Sequence, residues 1–192
     1  LKSFPKYHED IKAYKVLDNK NNIIGIFLTD YFARPSKQGG AWMTSYQDQS
    51  KNNGIKFPIV INVCNFPKPS KKEKSLLSFE QAITLFHEFG HGLHGLLSNV
   101  TYPSLSGTSV PRDYVEFPSQ MFENWIRSPK VLKEFAIHHK TKEKIPAGLL
   151  KKYEKCQKFN QGFATTEYLA ASYLDLASVS YTHLTLPTKS RG

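Results

Sequence analysis

Residues 87–91 read His-Glu-Phe-Gly-His, inside the apolar, glycine-dotted run ITLFHEFGHGLHGLL from Ile83 to Leu97. No other feature restricts the fold of this chain as strongly, because the five residues make chemical sense only on a helix. Four residues advance a helical side chain by about 400°, so His87 and His91 project from one face, one turn apart. Both imidazoles can then reach a single zinc ion at about 2.0–2.1 Å. Glu88, offset by one residue, is turned away from that pair and suits proton transfer rather than ligation. The competing reading is a buried helix whose polar residues are merely satisfied. Against it, an unpaired Glu88 in so apolar a segment would be costly or would have to be neutralised. Gly90 and Gly92 also cost a helix about 1 kcal/mol each relative to Ala. They make sense where another chain or a substrate comes close to the helix.

The helix has a readable start. Ser78 and Gln81 form an S-x-x-Q capping box, and Glu80 lies in the first turn, where the helix dipole favours negative charge. A catalytic zinc takes three protein ligands and leaves one position open. The downstream carboxylates available as the third ligand are Asp113, Glu116 and Glu123, around a second predicted helix that begins near Glu116 or Pro118. Glu116 is favoured because it opens a helix that can pack on the first. Asp113 then suits the role of accepting the free N–H of a ligand histidine. His94, seven positions after His87, falls near the same face. It is read as a supporting histidine, since a fourth ligand would close the site.

Upstream the pattern is β. Ile11–Asp18 and Ile23–Phe32 flank the turn-rich NKNN and predict a hairpin, and Phe57–Phe66 is a further β-branched strand. Arg34–Trp42, with its Gly-Gly pair, reads as a loop, and helices are expected in PKVLKEFAIHH and from Pro146 to Ala177. Strands followed by helices make an α+β chain, mostly helical. The 192 residues suffice for one domain with a real core. A net charge of +10 invites a nucleic-acid partner, but the lysines are dispersed and no nucleic-acid motif accompanies them. A solvated basic surface is the better reading. Cys64 and Cys156 make no disulfide framework and are expected to be buried or half-buried. No apolar run is long enough to span a membrane.

Taken together, FHEFGHGLHGLL, YPSLSGTSVPRDYVEFPSQMFENW, GIFLTDYFARPSKQGGAWM, PIVINVCNFPKP and FNQGFATTEYLAASYLDLA resemble, in order, the thimet-oligopeptidase-like family of zinc metallopeptidases. Within it the resemblance is to the peptidyl-dipeptidase branch, and it runs to about Ala177. It implies a zincin-type catalytic domain fragment, with one Zn2+ per chain held by His87, His91 and Glu116, which lies 25 positions after His91. It implies Glu88 as the catalytic residue. It also implies short peptides as substrates, a cytoplasmic location and a monomer, with dipeptides released from C-termini in the peptidyl-dipeptidase branch and cleavage as an oligoendopeptidase of the same family as the alternative. The Gly-rich loops SKQGGAW and SLSGTS are candidate substrate-lining segments.

Two departures from the family pattern are expected to matter. Family members carry a further helical N-terminal region and a downstream His-, Gly- and Tyr-rich segment that stabilises the oxyanion, and neither occurs in this sequence. Residues 1–178 are therefore expected to form a partial catalytic domain, which could be an inert zinc- or peptide-binding piece. Helical patterning stops after Ala177, and Val179–Thr188 resembles a translated sequencing-library adaptor. Residues 179–192 are accordingly expected to be a non-native tail, with no role for His183.

Overall fold

A computed structural model of the chain describes residues 4–70 and 74–185, with side chains to residue 179. Four strands and five α-helices occur among the described residues: β1 (Lys12–Leu17), β2 (Ile23–Phe32), β3 (Trp42–Gln47), β4 (Ile59–Phe66), α1 (Phe79–Leu96), α2 (Phe117–Arg127), α3 (Pro129–Phe135), α4 (Ala147–Gln157) and α5 (Gln161–Thr185). The α+β class, mostly helical, is as the sequence indicates. The chain divides into two compact units, 1–135 and 136–192.

In the first unit the strands form one sheet in the order β1-β2-β4-β3. The predicted hairpin is present, with β1 and β2 antiparallel and Lys12 opposite Thr29. Asp18 shapes its turn by accepting from the backbone N–H groups of Lys20 and Asn22, both at 2.8 Å. β4 runs parallel to β2, and β3 pairs antiparallel with β4 at the edge. β3 is a strand where the sequence pattern gave only the end of a loop. Its residues, WMTSYQ, are half-exposed and lack a clean apolar alternation, so the pairing with β4 rather than intrinsic pattern makes it a strand.

Because side chains alternate along a strand, the sheet has two different faces. Ile11, Ala13, Leu28, Ile61 and Val63 build the core on one of them. Phe27 and Val60 point the other way and pack with Leu96 of α1. The helix lies against this second face with its start set by the capping box: Ser78 Oγ accepts from Gln81 N at 3.1 Å, and Ser78 N donates to Gln81 Oε1 at 3.0 Å.

Two glycines of α1 permit close approach, and what approaches is this same chain rather than a substrate or a second molecule. At Gly92 an added Cβ would lie 3.1 Å from Asn62 Oδ1 of β4. At Gly90 it would lie 2.6 Å from Ser119 Cα and 2.8 Å from Pro118 O, both backbone atoms of α2. Gly90→Ala is expected to destabilise the chain. The gain in helix propensity is about 1 kcal/mol, whereas forcing two helix backbones apart costs about 1–3 kcal/mol. A denaturant midpoint that holds steady or rises in the variant would show that α2 can step back freely.

The second unit holds α4, α5 and a short turn closed by the bridge Ile137–Lys144. Here the structure departs from the sequence reading twice. α5 continues through the expected stop at Ala177 to Thr185, since no glycine or proline interrupts the sequence before Pro187. Of the expected tail, residues 186–192 lie outside the described residues, as do 71–73 of the basic run 68–74. Within that run Lys68 pairs with Asp10 at 2.8 Å. Cys64 is free and buried as expected, but Cys156 is free and exposed among the lysines of α4. No described helix is long and apolar enough to cross a membrane.

Candidate metal centre

The helix α1 carries His87 and His91 on one face, one turn apart, with Glu88 about 100° round from His87, and α2 comes close enough to deliver Glu116. Glu116 is the N-cap residue of α2. Glu116 Oε2 lies 3.2 Å from His87 Nε2 and 3.1 Å from His91 Nε2. The three ligand atoms all fall within 4.8 Å of one another. Donors bound tetrahedrally at about 2.0–2.1 Å would stand about 3.3 Å apart, so these separations match donors that share one ion. The set of two imidazole nitrogens and one carboxylate is also one that zinc accepts with a position left open. The residues present therefore fit a divalent metal.

Each ligand atom is aimed by its own neighbourhood. Ser119 is fully buried, and its hydroxyl donates to Glu116 Oε2 at 2.9 Å; the backbone carbonyl of Glu116 lies at the same distance. Burial by itself would raise the Glu116 carboxyl. The Ser119 hydrogen bond and the two histidines outweigh it and lower its pKa. The rings of His87 and His91 meet edge to face at 4.9 Å. Burial lowers the pKa of His91, favouring the neutral ring that a metal requires, although the adjacent Glu116 charge opposes the shift.

Glu88 is buried; burial of the Cys64 thiol in β4, helped by the Glu88 charge, raises the thiol pKa. It is only 6% exposed, and its Oε2 has no hydrogen-bond partner among the described residues. Burial is the main cause of its raised pKa; the Glu116 charge adds to the shift and His87 opposes it. A buried carboxylate oxygen left without a partner is rarely kept for structure alone.

Of the residues singled out by sequence, His87, His91 and Glu116 converge, and Glu88 lies beside them on α1. His94 stays outside the group as expected, and the place read for Asp113 is taken by Glu123. Among the described residues Asp113 is not the group that meets His87 or His91. The nitrogen of His87 turned away from Glu116 is met instead by Glu123, with Nδ1 and Oε1 2.7 Å apart. His91 Nδ1 is buried without a hydrogen-bond partner among the described residues. His94 is not one of the three converging groups. Its ring packs edge-on to Tyr114 at 6.2 Å, and burial lowers its pKa. The reason for the exchange is helical geometry. Glu116, Ser119 and Glu123 share one stripe of α2 at offsets of three and seven, whereas Asp113 precedes the helix. That E-x-x-S-x-x-x-E spacing is the signal in the sequence that could have pointed to Glu123.

A helix-borne His-Glu-x-x-His completed by a glutamate from a crossing helix is a donor set that fits one divalent ion, in the pattern used by metallopeptidases. The chain belongs to peptidase family M3, whose model matches residues 2–187. It is 45% identical over 172 residues to a dipeptidyl carboxypeptidase of Salmonella typhimurium and 43% identical over 172 residues to one of Escherichia coli. In both cases the match covers 90% of this chain and 25% of the relative. It is also 39% identical over 149 residues to oligopeptidase A of Escherichia coli, which covers 76% of this chain and 22% of that protein. The chain thus spans about a quarter of the length of these relatives.

Proposed function

We propose that this chain carries the zinc centre of a metallopeptidase that hydrolyses short peptides, releasing dipeptides from their C-termini. The observation that carries the reading is the convergence of His87 Nε2, His91 Nε2 and Glu116 Oε2, with the buried Glu88 carboxylate one residue along the helix. His87, His91 and Glu116 would hold one zinc ion per chain. Bound there, zinc supplies Lewis-acid polarisation of a scissile carbonyl. Glu88 takes a proton from the attacking water and returns it to the departing amine. Ser119 keeps the Glu116 carboxylate pointed at the histidines, and burial keeps bulk water from most of Glu88.

Release of dipeptides is supported by the names of the two most similar relatives cited above. The match to oligopeptidase A favours a second reading, cleavage within short peptides by the same centre. Zinc content and the products formed from defined peptides test both. The chain should take up one zinc, and His91→Ala should lose it. Mass spectrometry of the products should show C-terminal dipeptides on the first reading and internal fragments on the second. Equal metal content in wild type and His91→Ala would sink the zinc assignment.

A further inference from the structure

We infer that Glu123 is a positioning residue that fixes the His87 ring for metal binding and so sets the metal affinity of the centre. The inference rests on the zinc reading of the site and adds to it a residue outside the three converging groups.

The geometry is specific. His87 lies between two carboxylates of α2: its Nε2 is 3.2 Å from Glu116 Oε2, and its Nδ1 is 2.7 Å from Glu123 Oε1. Glu116 and Glu123 are seven residues apart on α2, about 10.5 Å along its axis, so the imidazole spans the gap between them. The two ring nitrogens face opposite ways. An acceptor at Nδ1 therefore cannot also reach an ion at Nε2, and Glu123 is excluded as a ligand by the same contact that ties it to His87. What it can do is accept a hydrogen bond from Nδ1–H, which leaves the Nε2 lone pair free for the metal. The Glu123 side chain is 27% exposed and that of His87 26%, so this contact lies in a partly dehydrated niche where a charged acceptor outperforms a neutral one. The two histidines differ in this respect, because His91 Nδ1 has no partner among the described residues. Of the two, His87 alone is held from behind by a carboxylate.

The test compares E123Q and E123A with wild type in the 192-residue chain, with zinc affinity measured by competition against a chromophoric chelator. Removing such an outer partner weakens metal binding by about 10–100-fold. The neutral acceptor of E123Q should fall at the low end of that range and E123A at the high end. Affinities within twofold of wild type in both variants would overturn the inference. So would a lowered melting temperature with unchanged zinc affinity, which is the signature of a merely structural contact. A metal-free NMR measurement keeps the inference testable if the zinc reading itself fails, as it would if wild type and His91→Ala bound zinc equally weakly. The His87 Nδ1–H proton should then exchange slowly in wild type and be lost in E123A. Its absence from the wild-type spectrum overturns the role of Glu123 whatever the metal.

Discussion

Glu88→Gln is expected to leave zinc bound while lowering peptide cleavage by about 10²–10⁴-fold, the range by which a positioned acid–base group accelerates proton transfer. The expectation follows from where the side chain sits. Glu88 is next to His87 in sequence, about 100° further round the helix, and is not among the three groups that converge on the ion position. Gln therefore removes no ligand. It is nearly the same size as Glu, so the packing around the buried side chain survives, but it cannot accept a proton from water at neutral pH. Rates should be compared at equal zinc occupancy, with kcat and KM separated. The loss belongs in kcat, because the carboxylate acts on the reacting water rather than on substrate binding. Glu88→Asp is a useful partner, since it keeps the charge and shortens the reach by one methylene. A Glu88→Gln chain that cleaves within tenfold of wild type would remove Glu88 from the chemistry, and one that loses zinc would make it a ligand. A wild-type chain that binds zinc and cleaves nothing would leave this span a metal- or peptide-binding one.

How much of this was legible before the structure depends on which elements carry short-range signals. The α1 start is written in Ser78 and Gln81, the β1–β2 turn in Asp18 and its neighbours, and the ligand pair in the spacing of His87 and His91. Each is a relation between residues at most four apart, and the structure places them as the spacing implies. Glu116 lay further off, but a carboxylate at the mouth of a second helix was a restrictive enough condition to select it. β3 was missed because an edge strand owes its existence to hydrogen bonds from β4, a partner several residues further along the chain. Glu123 was weighed only as a ligand. Its contact with His87 depends on α2 lying close against α1 at Gly90, and the E-x-x-S-x-x-x-E spacing puts Glu123 on the right stripe of α2 without stating which helix that stripe meets. The two glycines of the motif carried the right message with the wrong recipient: something does come close to the helix, and it is the chain itself.

Asp30→Ala is expected to cost about 3–5 kcal/mol, the range found when one member of a buried ion pair is deleted. Asp30 sits near the end of β2 with only 1% of its side chain exposed. Arg34 grips it with two parallel bonds of 2.7 Å, the Tyr7 hydroxyl donates to it at 2.8 Å, and Lys37 Nζ donates at 3.0 Å. Lys37 is itself 4% exposed and also donates to the backbone carbonyls of Asp30, Phe32 and Cys64, so it ties the loop after β2 to the end of β4. Without the carboxylate, a buried lysine and a largely buried arginine lose the charged partner they share among the described residues, and their desolvation is no longer offset. The same cluster predicts an acid limb. Burial alone would raise the Asp30 pKa, but hydrogen bonds from Arg34, Tyr7 and Lys37, together with the Lys37 charge, prevail and bring it to about 2. The unfolded chain has an aspartate pKa of about 3.9. A carboxyl with a depressed folded pKa stabilises the fold fully above the unfolded value and loses that contribution as pH falls through the folded one. About 2–3 kcal/mol should therefore disappear between roughly pH 4 and pH 2. Asp30→Asn keeps the shape but abolishes the titration, so its stability should already be low at neutral pH and should vary less across that window. Urea melts of wild type and Asp30→Asn at pH 2, 3, 4 and 7 provide the measurement. Parallel pH profiles in the two proteins would show that the acid sensitivity arises elsewhere.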